Sequence, residues 1–467
     1  MKKVCRVIGF WVVMLLSGVA SAASAENPLL HVAAVALRDN PQVVSSRASL
    51  ASAQEQVDQA LAALLPSINF SASKTTNRVE WEDNGNSTND PLSMGLSLSQ
   101  SIYDGAALTA YRQTRPYVKA YAQDLSWIQQ SVLLSVLEAA VNVLQAAEVL
   151  QTEERHVEVI GRHLEATQAR FAVGEITRTD VSQAEARLAS AEAARITAWS
   201  DLESQQALFL EVTGSAPPEG MALPPVELPA AGMKFKQLEA KLDGRADIEA
   251  SRLRLNVAEA NIKMQRAGHL PTVALSGSGS RNWSEQTSGR PDPVDKYALA
   301  LTVTVPIFAG GATVSQVREA RSDRDAQGAA LDLLRRQARR QLRQAIAGHQ
   351  SAAASLKAFE AVSSAAREAL TGVNQEFQVG ARTSLDVLDA QDELFSAETD
   401  LAKSRYSVVL ARYTLLNALG DLTLPALGGR MIGAEGGTVD QGTEAESHLD
   451  RIQYIETAPP SVGPNGG

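Results

Sequence analysis

The chain carries one pattern twice. Pro66 in LLPSINF recurs as Pro271 in GHLPTVAL, and Ile102-Tyr103-Asp104-Gly105 recurs as Ile307-Phe308-Ala309-Gly310, both 205 residues on. Phe171-Ala172-Val173-Gly174 recurs as Phe377-Gln378-Val379-Gly380, and Leu210 to Gly214 as Leu416 to Gly420, now at 206. Self-similarity at a fixed period marks one supersecondary unit used in tandem. We place the units at residues 26–214 and 246–425, with a connection at 215–245 that holds Pro217, Pro218, Pro224, Pro225 and Pro229 as an extended strap.

Each unit changes period along its length. Residues 28–65 have helical spacing, with Leu50, Val57, Leu61 and Leu64 on one face, and 246–270 repeat it with Leu255, Ile262 and Met264. The period then becomes two. Ile68, Phe70 and Ala72 alternate with Ser67, Asn69, Ser71 and Ser73; after the polar loop WEDNGNSTNDP, Leu92, Met94, Leu96 and Leu98 alternate with Ser93, Gly95, Ser97 and Ser99. Val273 and Leu275, then Tyr297, Leu299, Leu301, Val303 and Val305, keep the parity in the second copy. The expectation is four strands, each with one apolar and one small polar face.

Long helices follow both hairpins, over 106–171 and 311–377, with heptad-like apolar seams rich in alanine. At 1.5 Å per residue each spans roughly 100 Å. Pro116 predicts a local kink in the first. Gly174 and Gly380 sit where a left-handed residue ends a helix, and Thr177-Arg178-Thr179-Asp180 and Thr383-Ser384-Leu385-Asp386 each fit a capping box that starts a return helix. The return helices, to about 212 and 418, are shorter than the outgoing ones. The helix preceding the strands in each unit must complete them.

Residues 1–25 have Lys2, Lys3 and Arg6, an apolar run from Val7 to Val19, and Ala23-Ser24-Ala25, the pattern of a cleaved secretory signal. No later stretch is expected to reach the roughly 18 to 20 apolar residues of a transmembrane helix. Cys5, inside the signal, is the single cysteine, so the mature chain has neither disulfides nor thiol chemistry. Without the three leader cations the formal charge of −10 becomes −13, which argues against nucleic acid as a partner. Residues 426–467, with few apolar residues and no period, read as a disordered tail.

Strands of about 9 to 11 residues suit a tilted membrane span. A half-buried soluble sheet is the alternative. The secretory signal and the lack of other strands to pack against favour the membrane. Barrels in lipid have no edges and start at about eight strands, so four strands need partners: two chains would supply eight, three chains twelve.

Residues 28–425 resemble the TolC family of outer-membrane channel-tunnels, most closely at RFAVGEITRTDVSQAEARL and at FQVGARTSLDVLDAQDELFSAETDLAKSRYSVVLARYTLLNALGDLT. The resemblance implies a mainly α homotrimer: a shared twelve-stranded transmembrane β-barrel in the outer membrane, continuous with a periplasmic α-barrel of long helical hairpins. It implies that Asp386 and Asp389 form acidic rings at the channel constriction, and that Arg382 tethers the closed gate to Thr179 and Asp180. Phe377 stands where the family's archetype has a tyrosine, so one hydroxyl link of the gate is missing. Val173-Gly174 and Val379-Gly380 match the tips on which periplasmic adaptors dock. Asp389 lies three residues from Asp386, on one helical face. Crowded in a trimer, some of the six carboxylates are expected to hold protons above the usual carboxylate range.

The expected function is a passive exit duct, with neither a catalytic constellation nor a cofactor or metal site. An adaptor (membrane fusion protein) would join it to an inner-membrane ABC transporter in type I protein secretion, or to a proton-driven pump exporting drugs. An adaptor-like coiled-coil scaffold without a channel is the alternative of another class. The cluster Arg335, Arg336, Arg339, Arg340 and Arg343 reads as a solvated helix face with nearby acids. His156 and His163, seven apart, read as a solvated pair, and Gly277-Ser278-Gly279 reads as strand.

Overall fold

A computed structural model describes residues 27–81, 85–226, 235–283 and 293–429. The expected leader, Pro229 and the tail from 430 lie outside the described residues. The chain opens with α1 (Pro28–Asp39) and α2 (Pro41–Ala62), where the periodicity suggested one helix. Asn40 separates them. Its side-chain oxygen accepts from the Gln42 amide at 2.9 Å while its Nδ2 donates to the Val212 carbonyl at 3.0 Å, and Pro41 follows at the first helical position, where a missing N–H costs nothing.

The strands are β1 (Ser67–Lys74), β2 (Asn77–Trp81), β3 (Gly85–Asn89), β4 (Leu92–Tyr103), β5 (Thr272–Trp283) and β6 (Val294–Thr304). The loop WEDNGNSTNDP is thus partly strand, because β2 and β3 form a separate hairpin beyond the main sheet. The main sheet is antiparallel in the order β1-β4-β5-β6. Its register brings most of the large apolar residues to one side, Val294 at the start of β6 excepted: Phe70 opposes Leu96, Leu96 opposes Gly279, and Gly279 opposes Tyr297. In a single chain this face is bare, with Tyr297 83% and Leu299 76% exposed. Gly279 makes room for the Tyr297 ring, since a Cβ there would meet the ring at 3.2 Å.

Two long helices carry the chain away from the sheet. α3 (Gly105–Ala172) runs unbroken through Pro116 and is capped by Asp104, whose carboxylate accepts from the amides of Ala106 at 2.8 Å and Ala107 at 3.1 Å. α4 (Arg178–Thr213) returns along it. After α5 (Phe235–Lys241) and α6 (Ala246–Ala267), α7 (Ala312–Gln378) and α8 (Ser384–Leu419) form the second hairpin. Both α2 and α4 pack on α3, and both α6 and α8 pack between α3 and α7. The short helices therefore complete the return helices, as the lengths required. The helices stand in a row that ends in α2 and α4 on one flank and in α7 on the other, just as the sheet ends in β1 and β6.

The main core lies at the junction of these pieces, where Leu29, Val132, Val136, Leu137, Phe209 and Tyr413 are buried together. α3 contains a window apolar enough to cross a membrane, contrary to expectation, and much of it is this core. The strap packs here too: the Tyr413 hydroxyl donates to the Pro224 carbonyl at 2.9 Å, and burial pushes that phenol's pKa up. Leu427, in a short 3-10 helix at Pro425–Leu427, is 5% exposed in the same core, so order extends past the expected boundary at 426.

The arginine cluster on α7 has a structural use. Arg335 faces Asp243 at 3.6 Å, Arg339 pairs with Glu239 at 2.8 Å, and the Arg343 guanidinium lies 4.9 Å from the Phe235 ring centre. Both series step by four residues, in opposite directions. They dock the helical part of the connection along α7.

Candidate functional site at the hairpin tips

Both hairpins turn by the same device. Gly174 and Gly380 have φ of 81° and 79°, a region that costs other residues about 1 to 2 kcal/mol. The Glu175 amide reaches back to the Arg170 carbonyl at 3.0 Å and the Ala381 amide to Glu376 at 2.8 Å, closing each helix end. The neighbouring Val173 and Val379 are 72% and 80% exposed. Apolar side chains are thus presented on a rigid turn at each tip.

The return helices start on reciprocal caps. The carboxylates of Asp180 and Asp386 accept from the Thr177 and Thr383 amides, both at 2.8 Å, and from the same threonines' hydroxyls. These bonds hold both carboxyls below the usual carboxylate range. Within the single chain, capping by Thr383 sets the direction for Asp386. With the folded pKa depressed, the stabilisation is fully present above the ordinary carboxylate range and is lost as pH falls through the depressed value. Amide exchange at Thr177 and Thr383 is therefore expected to stay slow in mild acid and to accelerate only in strong acid.

The sequence-expected gate residues divide into different partnerships. Within the chain the Arg382 Nε donates to Glu376 at 2.8 Å, with Asp386 3.8 Å away. It does not bond Thr179, which is exposed, or Asp180, whose carboxylate serves its own cap. Phe377 is not idle for lack of a hydroxyl: the Arg170 guanidinium of α3 stacks 4.7 Å from its ring centre and joins the two hairpins.

Asp389 is not an unpaired acid in the chain. Arg187, on α4, donates to Asp389 at 2.5 Å and to Asp392 at 2.7 Å. The other oxygen of Asp392 accepts from His156 Nε2 of α3 at 3.0 Å, and that imidazole stacks on Phe395 at 4.4 Å. His163 shares a 2.8 Å hydrogen bond with the Ser384 hydroxyl, and burial together with Arg170 lowers its pKa. The two histidines thus face α8 instead of solvent. Beneath them Ile160, Ala184 and Leu388 form a small core, with Leu388 1% exposed. The seam between the hairpins is therefore apolar at its base and ionic at its rim. Sequence reasoning missed Arg187, Leu388 and Asp392; the seven-residue step from His156 to His163, which puts both on one helix face, was the available signal.

Known proteins decide what this architecture is. The family model for outer membrane efflux proteins matches the chain twice, over residues 32–215 and 238–421. The chain belongs to the outer membrane efflux protein family. Among similar proteins, the outer membrane efflux protein BepC of Brucella suis is 30% identical over 440 residues, covering 91% of this chain and 92% of that protein. The proteases secretion protein PrtF of Dickeya chrysanthemi is 28% identical over 426 residues, covering 88% and 91%. The solved structure of the channel-forming CusC superposes with a TM-score of 0.76 at 20% identity, over 85% of this chain and 92% of that one. Membership establishes the resemblance drawn from the tip motifs. The efflux protein is an outer-membrane channel that extends into the periplasm, with its internal repeat built from two matching units.

Proposed function

We propose that three copies of this chain form the outer-membrane exit duct of a tripartite export system. The observation that carries the reading is the pair of unfinished flanks: β1 and β6 end the sheet on either side, and α2/α4 and α7 end the helical row. A head-to-tail contact between unlike flanks closes into a ring when the rotation fits. Three copies supply twelve main-sheet strands, with the bare apolar face turned to lipid and the serine, threonine and alanine face turned to the lumen. Unpaired edges in hydrocarbon would otherwise cost several kcal/mol per backbone group.

The tips then converge at the periplasmic end, where Asp386 and Asp389 line the constriction. Arg382 reaches Thr179 and Asp180 on the neighbouring chain's tip, the contact it does not make at home. The exposed pairs Val173-Gly174 and Val379-Gly380 offer docking points for a periplasmic adaptor, which couples the duct to an inner-membrane ABC transporter. Protein cargo is the favoured reading, supported by the likeness to PrtF. Drug efflux with a proton-driven pump is the second, supported by the likeness to BepC.

The orientation of the sheet gives a paired test. Leu301 is on the apolar face opposite Leu275, and Thr302 on the small face opposite Ala274. Leu301→Arg is expected to cost up to about 2 to 4 kcal/mol per chain in the membrane and to abolish folded trimer in the outer-membrane fraction, whereas Thr302→Arg should assemble normally. Equal assembly of both variants, read by heat-modifiable migration on gels, would remove the sheet from the bilayer.

A further inference from the structure

A groove of about 550 Å³ lies where α7 and α8 meet, with Trp127 of α3 completing its lining. That volume is in the range of sites that enclose a drug-sized molecule. Small residues make most of its walls, among them Ala345, Gly348, Ala352 and Ala411. Among the described residues, none that lines it is charged. An ion entering it would lose hydration with no opposite charge in the lining to replace the water.

Two amides in the lining are held in one sense. Gln341 Oε1 accepts from Arg245 Nη1 at 3.1 Å, and Gln344 Oε1 accepts from Arg340 Nη1 at 2.9 Å. With both oxygens occupied by guanidiniums, what each side chain has left to offer is its Nε2 donors, which have no partner among the described residues. Arg245 also stacks 4.8 Å from the Trp127 ring centre. One buried guanidinium thus fixes both a ring and an amide of the groove. Holding them in place beforehand lowers the ordering cost of binding.

The groove opens away from α5. At about 100° per residue, Gln341 and Gly348 lie on the side of α7 opposite Arg339 and Arg343, which hold α5. In the ring of the preceding subsection, on which this placement rests, four helices from each of three chains at about 8 to 10 Å spacing put their axes about 18 Å from the centre. A second layer inside that radius would fill the lumen, so α5 lies outside and the groove faces in. Trp127 and α7 bound it on either side, and a neighbouring copy meeting the far side of α7 leaves it open. We propose that the groove is a lumenal binding site for small, uncharged, planar aromatic molecules that carry a carbonyl acceptor. The flat ring system packs with Trp127 over the alanines and Gly348, and the carbonyl accepts from Gln341 and Gln344.

Titrating acridone, a fluorescent tricyclic ketone, into the purified full-length protein tests this. Its anisotropy should rise saturably, and xanthone, which has the same carbonyl, should displace it. Xanthene, with a methylene in that place, should displace it roughly tenfold less well, because the amide donors are then left unmet. Gln344→Glu keeps an acceptor for Arg340 but removes the donors, so it should erase the preference for xanthone over xanthene. Gly348→Leu, at a position where a Cβ meets nothing within 4 Å, should fill the groove and abolish saturable binding. Ser407→Cys, in a mature chain with no native cysteine, locates the site: a bulky polymer maleimide attached there should cut the current in a planar bilayer, and acridone should slow the attachment. Binding unchanged by Gly348→Leu, or equal displacement by xanthone and xanthene, would overturn the proposal. So would binding confined to a chain cut after Gly429, which would make the tail the occupant, or confined to the monomer, which would make a second copy the cover. Full current with the polymer attached would overturn the lumenal placement. A parent protein that conducts nothing would overturn the duct reading and that placement with it, while the titration still decides the binding site.

Discussion

Replacing Arg245 by methionine is expected to destabilise the fold by about 3 to 5 kcal/mol, the cost of leaving one member of a buried ion pair alone. Arg245 is 1% exposed. Its guanidinium makes two bonds to Asp247 at 3.0 and 2.7 Å, and donates to Gln341 at 3.1 Å and to the Ala418 carbonyl at 3.0 Å. It also stacks 4.8 Å from the Trp127 ring centre. One side chain thereby joins α6, α7, α8 and α3 at the level where the connection enters the second unit. The fit is tight: Gly420, at φ 80°, would bring a Cβ within 3.0 Å of Arg245 Cγ. Urea unfolding followed by far-ultraviolet circular dichroism measures the effect. A change below about 1 kcal/mol, the range of exposed pairs, would mean that solvent reaches the guanidinium in solution.

Leu388→Ala should have the second largest effect, and a different one. Removing a fully buried leucine costs about 2 to 5 kcal/mol, depending on how far the site collapses. The loss falls on the packing of Ile160 and Ala184 between the hairpins, away from the main core. Assembly and the main core are therefore expected to survive, while amide protection falls along α8 near the tip and resting conductance rises. Leu388→Met keeps the volume and should cost less than about 1.5 kcal/mol. If the alanine variant unfolded globally, or lost protection in the main core first, the tip would not be a separate cooperative unit.

The repeat, the four main strands and all four long helices were legible because each rests on local chemistry. Alternation, caps and glycine turns are properties of neighbours in sequence, and the long-helix ends fall within about two residues of the sequence-based bounds. The split at Asn40 escaped because the helical period continues across it, and only the Asn40 bond to Val212, distant in sequence, reveals the cap's second task. The hairpin β2-β3 escaped because β3 is polar and contains glycine, and β2 has only Val79 and Trp81, interleaved with Arg78 and Glu80, as an alternating signal. At the tips, Asp386 and Arg382 could be found from the motif, but their partners could not. Glu376 competes for Arg382 from inside the same turn, and Arg187 reaches Asp389 from another hairpin. Such pairings depend on how hairpins dock, which no single helix's periodicity records.

The most direct test of the duct is the mass of the purified full-length protein in detergent, measured together with its conductance in a planar bilayer. The account predicts three chains per particle and discrete, cation-selective channels, with the backbone amides of β1 and β6 protected from hydrogen exchange only in the assembled species. A stable monomer in the soluble periplasmic fraction, with both edge strands already protected and no conductance, would contradict it.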